Sequence, residues 1–222
     1  MQRSKQNSKY LDKLTPENSV LVLVDYLTGF LPGLKTIEPN VYQKNVTALV
    51  RIGQIFEKRM PTIVLGDEGG FRGKFFDQIN EYLPNAPRVS RHTPSGWGSE
   101  EFQILLEREN RPKVIMAGIS LDNCVTQTAL DVLLAGYEVY VLPDVSGTDS
   151  FLVEQAAMSR LAQAGAVMTN WVSLASELMN DWETPEGKEI GELYQKYSVW
   201  GEITGGEVVE KTTERSAGKA KD

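Results

Sequence analysis

Six short runs with strand character, each separated from the next by a turn or a helix-length segment, constrain this chain more than any other feature. Residues 19–24, 61–65, 88–90, 113–117, 137–142 and 166–169 read as short strands. Most lack the polar alternation of a half-exposed strand, so burial on both faces is expected. Between them lie helical patterns. Residues 41–58 place Val46, Leu49, Val50, Ile52, Ile55 and Phe56 at helical spacing. Residues 99–109 open with Ser-Glu-Glu-Phe, a helix-start pattern, and residues 125–135 are closed by Gly136. Residues 152–164 and 172–179 complete the series. Strand and helix in alternation predict a three-layer α/β/α domain with a mostly parallel six-stranded sheet, Rossmann-like in arrangement.

The expected organisation is one domain over residues 1–182, a helical arm over 183–204 and a charged, disordered tail over 205–222. Asp181-Trp-Glu-Thr-Pro185 reads as the cap and proline start of a last helix, residues 186–197. Tyr194, Tyr197 and Trp200 would be out of place in a free tail, so this arm is expected to dock in a homo-oligomer. A chain of 222 residues suffices for one large core. Its 30 acidic and 23 basic residues give a net charge of −7, which argues against a nucleic-acid partner. Residues 1–13 lack the apolar core of a signal peptide, and no apolar run approaches a membrane span. A single cysteine cannot form an internal disulfide. A cytoplasmic protein with no membrane partner is expected.

That cysteine, Cys124, follows the fourth strand in Met116-Ala-Gly-Ile-Ser-Leu-Asp-Asn-Cys-Val125. It falls at the first turn of a helix, where free amides and the helix dipole favour a thiolate. The same position also suits a small buried apolar residue. Asp25 ends the first strand in Leu21-Val-Leu-Val-Asp25, and Arg91 follows the third. A carboxylate, a fixed cation and a thiol thus converge on the edge where open α/β sheets bind ligands. The carboxylate can take the thiol proton, and the cation can offset two adjacent negative charges. Taken singly, the Asp is equally a turn former and the Arg a surface charge.

Three blocks carry a resemblance. They are Leu21-Val-Leu-Val-Asp25-Tyr-Leu-Thr-Gly-Phe30, Arg91-His-Thr-Pro-Ser95-Gly-Trp97, and Gly118-Ile-Ser-Leu-Asp-Asn-Cys124-Val followed by Thr128-Ala-Leu and Gly136-Tyr-Glu-Val. In order and spacing they resemble the isochorismatase-like cysteine hydrolases, a superfamily that includes nicotinamidases and N-carbamoylsarcosine amidases. The YcaC-type branch is the nearest in pattern. The resemblance implies the isochorismatase-like hydrolase fold and an Asp25–Arg91–Cys124 triad. It also implies a cis peptide between Ile119 and Ser120, an oxyanion hole of the Ser120 and Cys124 amides, and a ring-forming oligomer. Most of the superfamily has Lys where this chain has Arg91, and Arg cannot shuttle a proton. Nicotinamidases carry an Asp-x-His metal pattern where this chain has Gly66-Asp-Glu-Gly-Gly70, and the only histidine is His92. No metal and no cofactor are expected.

The expected activity is metal-independent cleavage of a C–N, amide-type bond of a small molecule through a Cys124 thioester. Isochorismatase-type ether hydrolysis, or a catalytically silent oligomeric or redox-responsive protein, are the alternatives. Tyr26, Phe30, Trp97 and Leu121 lie beside the triad in sequence and are candidate substrate-binding walls. His92 is expected to be structural or on the surface, Asp122 to cap the helix, Asp144 to serve a turn. Asp67 and Glu68 are placed at a pocket mouth.

Overall fold

The structure, a computed structural model, describes residues 11–199 and Gly201. The tail expected over 205–222 and Trp200 fall outside the described residues. The chain divides into two compact units, one through Leu178 and one from Met179.

The first unit is built on a six-stranded parallel sheet of order β3-β2-β1-β4-β5-β6. Its strands are β1 (Ser19–Val24), β2 (Thr62–Leu65), β3 (Arg88–Val89), β4 (Lys113–Gly118), β5 (Glu138–Val141) and β6 (Val167–Met168). All six residues of β1 and all six of β4 are buried. Such strands can only be central, and they pair with each other, Val22 opposite Met116. The edges are two residues long, which leaves little free strand for stray pairing.

Alternation along the strands sorts the two faces. Val20, Val22 and Val24 share one core with Phe102 and Leu106 of α3 (Glu100–Glu109), Ala129 and Val132 of α4 (Thr126–Leu134), and Ala157 and Leu161 of α5 (Phe151–Ala164). On the opposite face Leu21 meets α1 (Pro39–Ile55) at Gly53, where a Cβ would lie 3.1 Å from the leucine methyl. The α6 helix (Trp171–Met179) joins α1 through a hydrogen bond from Trp171 Nε1 to Asn45 Oδ1, 3.1 Å.

A short helix, α2 (Asp77–Tyr82), lies between β2 and β3, where no helix was expected from sequence. Six residues with a single buried side chain, Ile79, leave too little periodicity to read. The remaining strands and helices fall within a few residues of their expected bounds. In the second unit, α7 (Pro185–Tyr197) starts where the proline signal placed it. Thr184 Oγ1 accepts the Gly187 N–H at 3.0 Å, and Trp182 packs edge-on to Tyr194 with ring centroids 5.6 Å apart. Among the described residues no helix is long and apolar enough to cross a membrane.

The strand order creates the cleft. The chain steps outward from β1 to β2 and β3, then returns to lay β4 on the other side of β1. Loops leaving the carboxyl ends of β1 and β4 therefore diverge, and a crevice opens between them. Backbone at that edge is sharply bent: Asp25, Gly66 and Gly118, each at the end of a strand, have φ of 51°, 145° and 155°. At Gly118 a Cβ would sit 1.8 Å from Val24 O, so no side chain fits between β4 and β1. Gly118→Ala is expected to destabilise the chain by about 3 kcal/mol or more, the scale of forced backbone clashes. A urea midpoint within error of the parent would contradict this.

Candidate active site

Directly after β1, the chain reverses. The Asp25 N–H still donates to Leu65 O (2.9 Å), while Leu27 N–H donates to Asp25 O (2.7 Å). This turn holds Asp25 in a left-handed conformation and tips its carboxylate into the crevice. Gly66 makes room for it, since a Cβ there would come within 3.0 Å of Asp25 Oδ1. Arg91, just past β3, meets the carboxylate with both ends of its guanidinium. Nη1 donates to Oδ1 at 2.8 Å and Nη2 to Oδ2. Both side chains are only 6% exposed. The guanidinium is steadied from behind, with Nε and Nη2 donating to Pro94 O at 3.4 and 3.3 Å. Burial opposes charge on Arg91, but hydrogen bonding to Asp25 and the nearby negative groups outweigh it and raise its pKa further.

Cys124 enters from the β4 side. The peptide between Ile119 and Ser120 is cis. A wide helical turn, Leu121–Val125, then precedes α4. In it Val125 N–H, five residues on, reaches Ser120 O at 3.2 Å. The usual partner of that carbonyl would be the Cys124 N–H, so the widened turn releases the amide next to the sulfur. The Ser120 N–H donates to no group among the described residues. Thr128 locks the turn, donating from Oγ1 to Cys124 O (2.7 Å) and accepting from Gly96 N (2.8 Å).

The thiol stands against both Asp25 and Arg91, and its pKa is pushed up to about 12. Burial is the main cause, followed by the charge and hydrogen bonding of Asp25; Arg91 pulls the other way. Sequence position alone favoured a thiolate through the helix dipole. The structure corrects this: desolvation and an adjacent carboxylate override a dipole that is worth about 1 kcal/mol at most exposed sites. The raised pKa favours the protonated thiol at neutral pH.

Two hollows flank the sulfur, and Phe30 borders both. One, about 310 Å³, is walled by Leu34, Ile119 and Ser120, and Asp122 and Asp149 also line it. The other, about 260 Å³, contains Asp25, Arg91, His92, Asp67, Phe71 and Arg72. Of the candidate walls only Phe30 lies here. Tyr26 is fully buried, its hydroxyl donating to Val145 O at 2.7 Å. Leu121 is fully buried in the core beneath α4. Trp97 packs against Phe102 and Tyr137 and borders a separate hollow beside Gly136. Adjacency in sequence misled for these three, because neighbouring side chains around a turn diverge to different faces.

Other expectations are also placed. His92 is exposed at the rim of the second hollow. Asp122 sits inside the wide turn, and the residue ahead of the turn, Ser120, makes no side-chain cap; the expected capping role of Asp122 does not hold. Asp144 does occupy a turn, Pro143–Val145, and accepts the Trp171 N–H at 3.2 Å; burial pushes its pKa up to about 6. Asp67 lines the second hollow. Burial opposes its charge, yet hydrogen bonds from Ser90 and the Arg91 amide, with Arg72 and His92 nearby, hold its pKa below the usual range. Among the described residues no group of three His, Cys, Asp or Glu side chains could hold a metal ion. Leu34, Asp149, Phe71 and Arg72 were not picked out from sequence. The glycines at 66, 69, 70 and 73 were the available sign of a built loop.

The Isochorismatase domain profile matches residues 19–173. The chain is 31% identical over 172 residues to a probable hydrolase YcaC of Escherichia coli, covering 77% of this chain and 82% of that one. Its fold superposes on a YcaC structure from Pseudomonas aeruginosa, solved with hexane-2,5-diol and covalent acrylamide, at a TM-score of 0.79, with 30% identity and coverage of 84% and 92%. A YcaC structure from Escherichia coli, described as an octameric hydrolase of unknown specificity, superposes at 0.80, with 29% identity and coverage of 86% and 93%.

The electrostatics of the thiol yield an unusual expectation. With a pKa near 12, Cys124 in the folded chain should react with iodoacetamide more slowly at pH 7 than in the denatured chain, its rate climbing with pH well into the alkaline range. Asp25→Asn removes the negative neighbour and leaves Arg91. The thiol pKa should fall, and alkylation at pH 7 should quicken by about tenfold or more. The measurement is the pH profile of alkylation for both proteins; superimposable profiles would refute the electrostatic assignment.

Proposed function

The chain belongs to the isochorismatase domain family of hydrolases, and we propose that it is a cysteine hydrolase cleaving a C–N, amide-type bond of a small molecule. The observation that carries this reading is Cys124 beside the Arg91-bound carboxylate of Asp25, with a hollow on either side of the sulfur.

Each group has one task. Asp25 accepts the Cys124 proton as the sulfur attacks the carbonyl carbon, so a free thiolate need never accumulate. The carbonyl oxygen becomes an oxyanion facing the Ser120 and Cys124 amides; a donor of this kind contributes on the order of 3 kcal/mol to the barrier. Asp25 then delivers its proton to the departing nitrogen, and the C–N bond breaks to leave an acyl thioester. Water attacks that thioester while Asp25 takes a proton. The carboxylic acid leaves, and Asp25 returns the proton to the sulfur. Arg91, always charged, does not exchange protons. It holds Asp25 in place and stabilises the negative charge that passes between oxygen and sulfur.

Cys124→Ala should lower amide turnover by on the order of 10⁴-fold, and Asp25→Asn by about 10²–10⁴-fold. In the active protein, an acid quench during turnover should show an acyl mass increment on Cys124. Turnover of an amide by Cys124→Ala at the parental rate would sink the thioester scheme; turnover of a vinyl ether by the same variant would move the reading to ether hydrolysis.

The homo-oligomer proposed for this chain rests on a relative described as octameric and on the exposed apolar side chains of the second unit, Trp182 and Val199 at 51% and 61% exposure. We place α7 in that interface. Truncation after Asp181 should reduce the solution mass toward that of the monomer, and an unchanged mass by light scattering would count against it.

A further inference from the structure

The second hollow contains a cation that the proposed reaction does not use. Arg72 lines it together with Asp25, Arg91 and Cys124. Its Nε is buried and has no hydrogen-bond partner, and among the described residues no acceptor or ion pair holds its guanidinium. The guanidinium carbon lies 5.8 Å from the centre of the Phe71 ring, close enough to be oriented by it. Asp67, whose charge Arg72 influences, already takes hydrogen bonds from Ser90 and the Arg91 amide. The terminal nitrogens of Arg72 are accessible and have no acceptor among the described residues, so a ligand in the hollow can supply one.

The loop that carries Arg72 is fixed rather than loose. It leaves β2 through Gly66 and closes on itself where Gly69 N–H donates to Gly73 O at 2.7 Å. Its exit is stitched to the loop after β1: Thr28 N–H donates to Lys74 O (2.8 Å), and Lys74 N–H donates to Thr28 Oγ1 (3.1 Å). Gly29 lies so close under it that a Cβ would stand 1.9 Å from Phe71 O. Arg72 is thus presented to the hollow by a backbone with little room to move.

From this we infer that Arg72 is a substrate-binding residue that recognises a carboxylate, and that the substrate is a small amide bearing a carboxylate group. The inference deepens the hydrolase reading and rests on it for the word substrate. A guanidinium offers parallel N–H donors that match the two oxygens of a carboxylate, and the accessible Nη1 and Nη2 form such a pair. Arg91 cannot do this, because Asp25 occupies both of its ends. Arg72 therefore holds the acyl portion of the substrate in the second hollow, with the scissile carbonyl turned toward Cys124.

The test uses protection of Cys124, which needs no turnover. The full-length protein is alkylated with iodoacetamide in the presence of succinate, or of butyramide as a neutral molecule of similar length. Succinate should protect Cys124, and in Arg72→Met the concentration for half-protection should rise by about tenfold or more. Arg72→Lys should fall between the two, and butyramide should act equally on all three proteins, showing the pocket intact. Succinate protection that is absent in the parent, or unchanged in Arg72→Met, would overturn the inference. Failure of the hydrolase reading would look different: Arg72-dependent protection by succinate in a protein that hydrolyses neither succinamate nor any other amide.

Discussion

Asp25 and Arg91 share two hydrogen bonds in a place where almost no water reaches, and neither charge could stand there without the other. Breaking one partner of such a pair costs about 3–5 kcal/mol, because the survivor is left as an uncompensated buried charge. The pair also ties together two loops that the sheet holds apart, one leaving β1 and one leaving β3. Everything else at this edge is arranged around it. Gly66 clears space for the carboxylate, Pro94 O occupies the rear of the guanidinium, and Cys124 approaches on the remaining open side.

The thiol shows what that arrangement does to reactivity. A cysteine at a helix start is often activated by lowering its pKa. Here the carboxylate that would serve as base also raises the pKa of the group it must deprotonate. The two effects are one interaction seen from opposite ends. A proton resting on sulfur protects the nucleophile from adventitious electrophiles and oxidants, which act on thiolates. In the proposed reaction, attack would become favourable only when a carbonyl is in position and negative charge can flow onward to an oxygen near the Ser120 and Cys124 amides.

Much of this was legible in the chain itself. Four apolar residues running into Asp25 announced a carboxylate at the rim of a buried strand, and Gly-Ile-Ser-Leu-Asp-Asn-Cys announced a strand-to-helix turn with a thiol at its start. Parallel order followed from alternation, since helices between strands force right-handed crossovers. The losses have physical causes. Tyr26, Leu121 and Trp97 are one to six residues from a triad member, but direction around a turn depends on φ and ψ, which positive-φ residues such as Asp25 make hard to foresee. The protonation state of Cys124 depends on burial and on a neighbour 99 residues away in sequence, and neither is written locally. Helix α2 is too short to show a period, and the widened turn at Leu121–Val125 differs from an α-helix by a single hydrogen-bond register.

Phe30 and Cys124 border both hollows at the sulfur, one largely apolar and one richly charged. For chemistry that proceeds in two halves, this is a matter of traffic. Under the proposed thioester scheme, the fragment released first and the acyl fragment held on sulfur would not have to compete for one doorway, and water could reach the acyl group from the side the first has vacated. Two hollows on either side of the sulfur would then separate arrival from departure without any moving part.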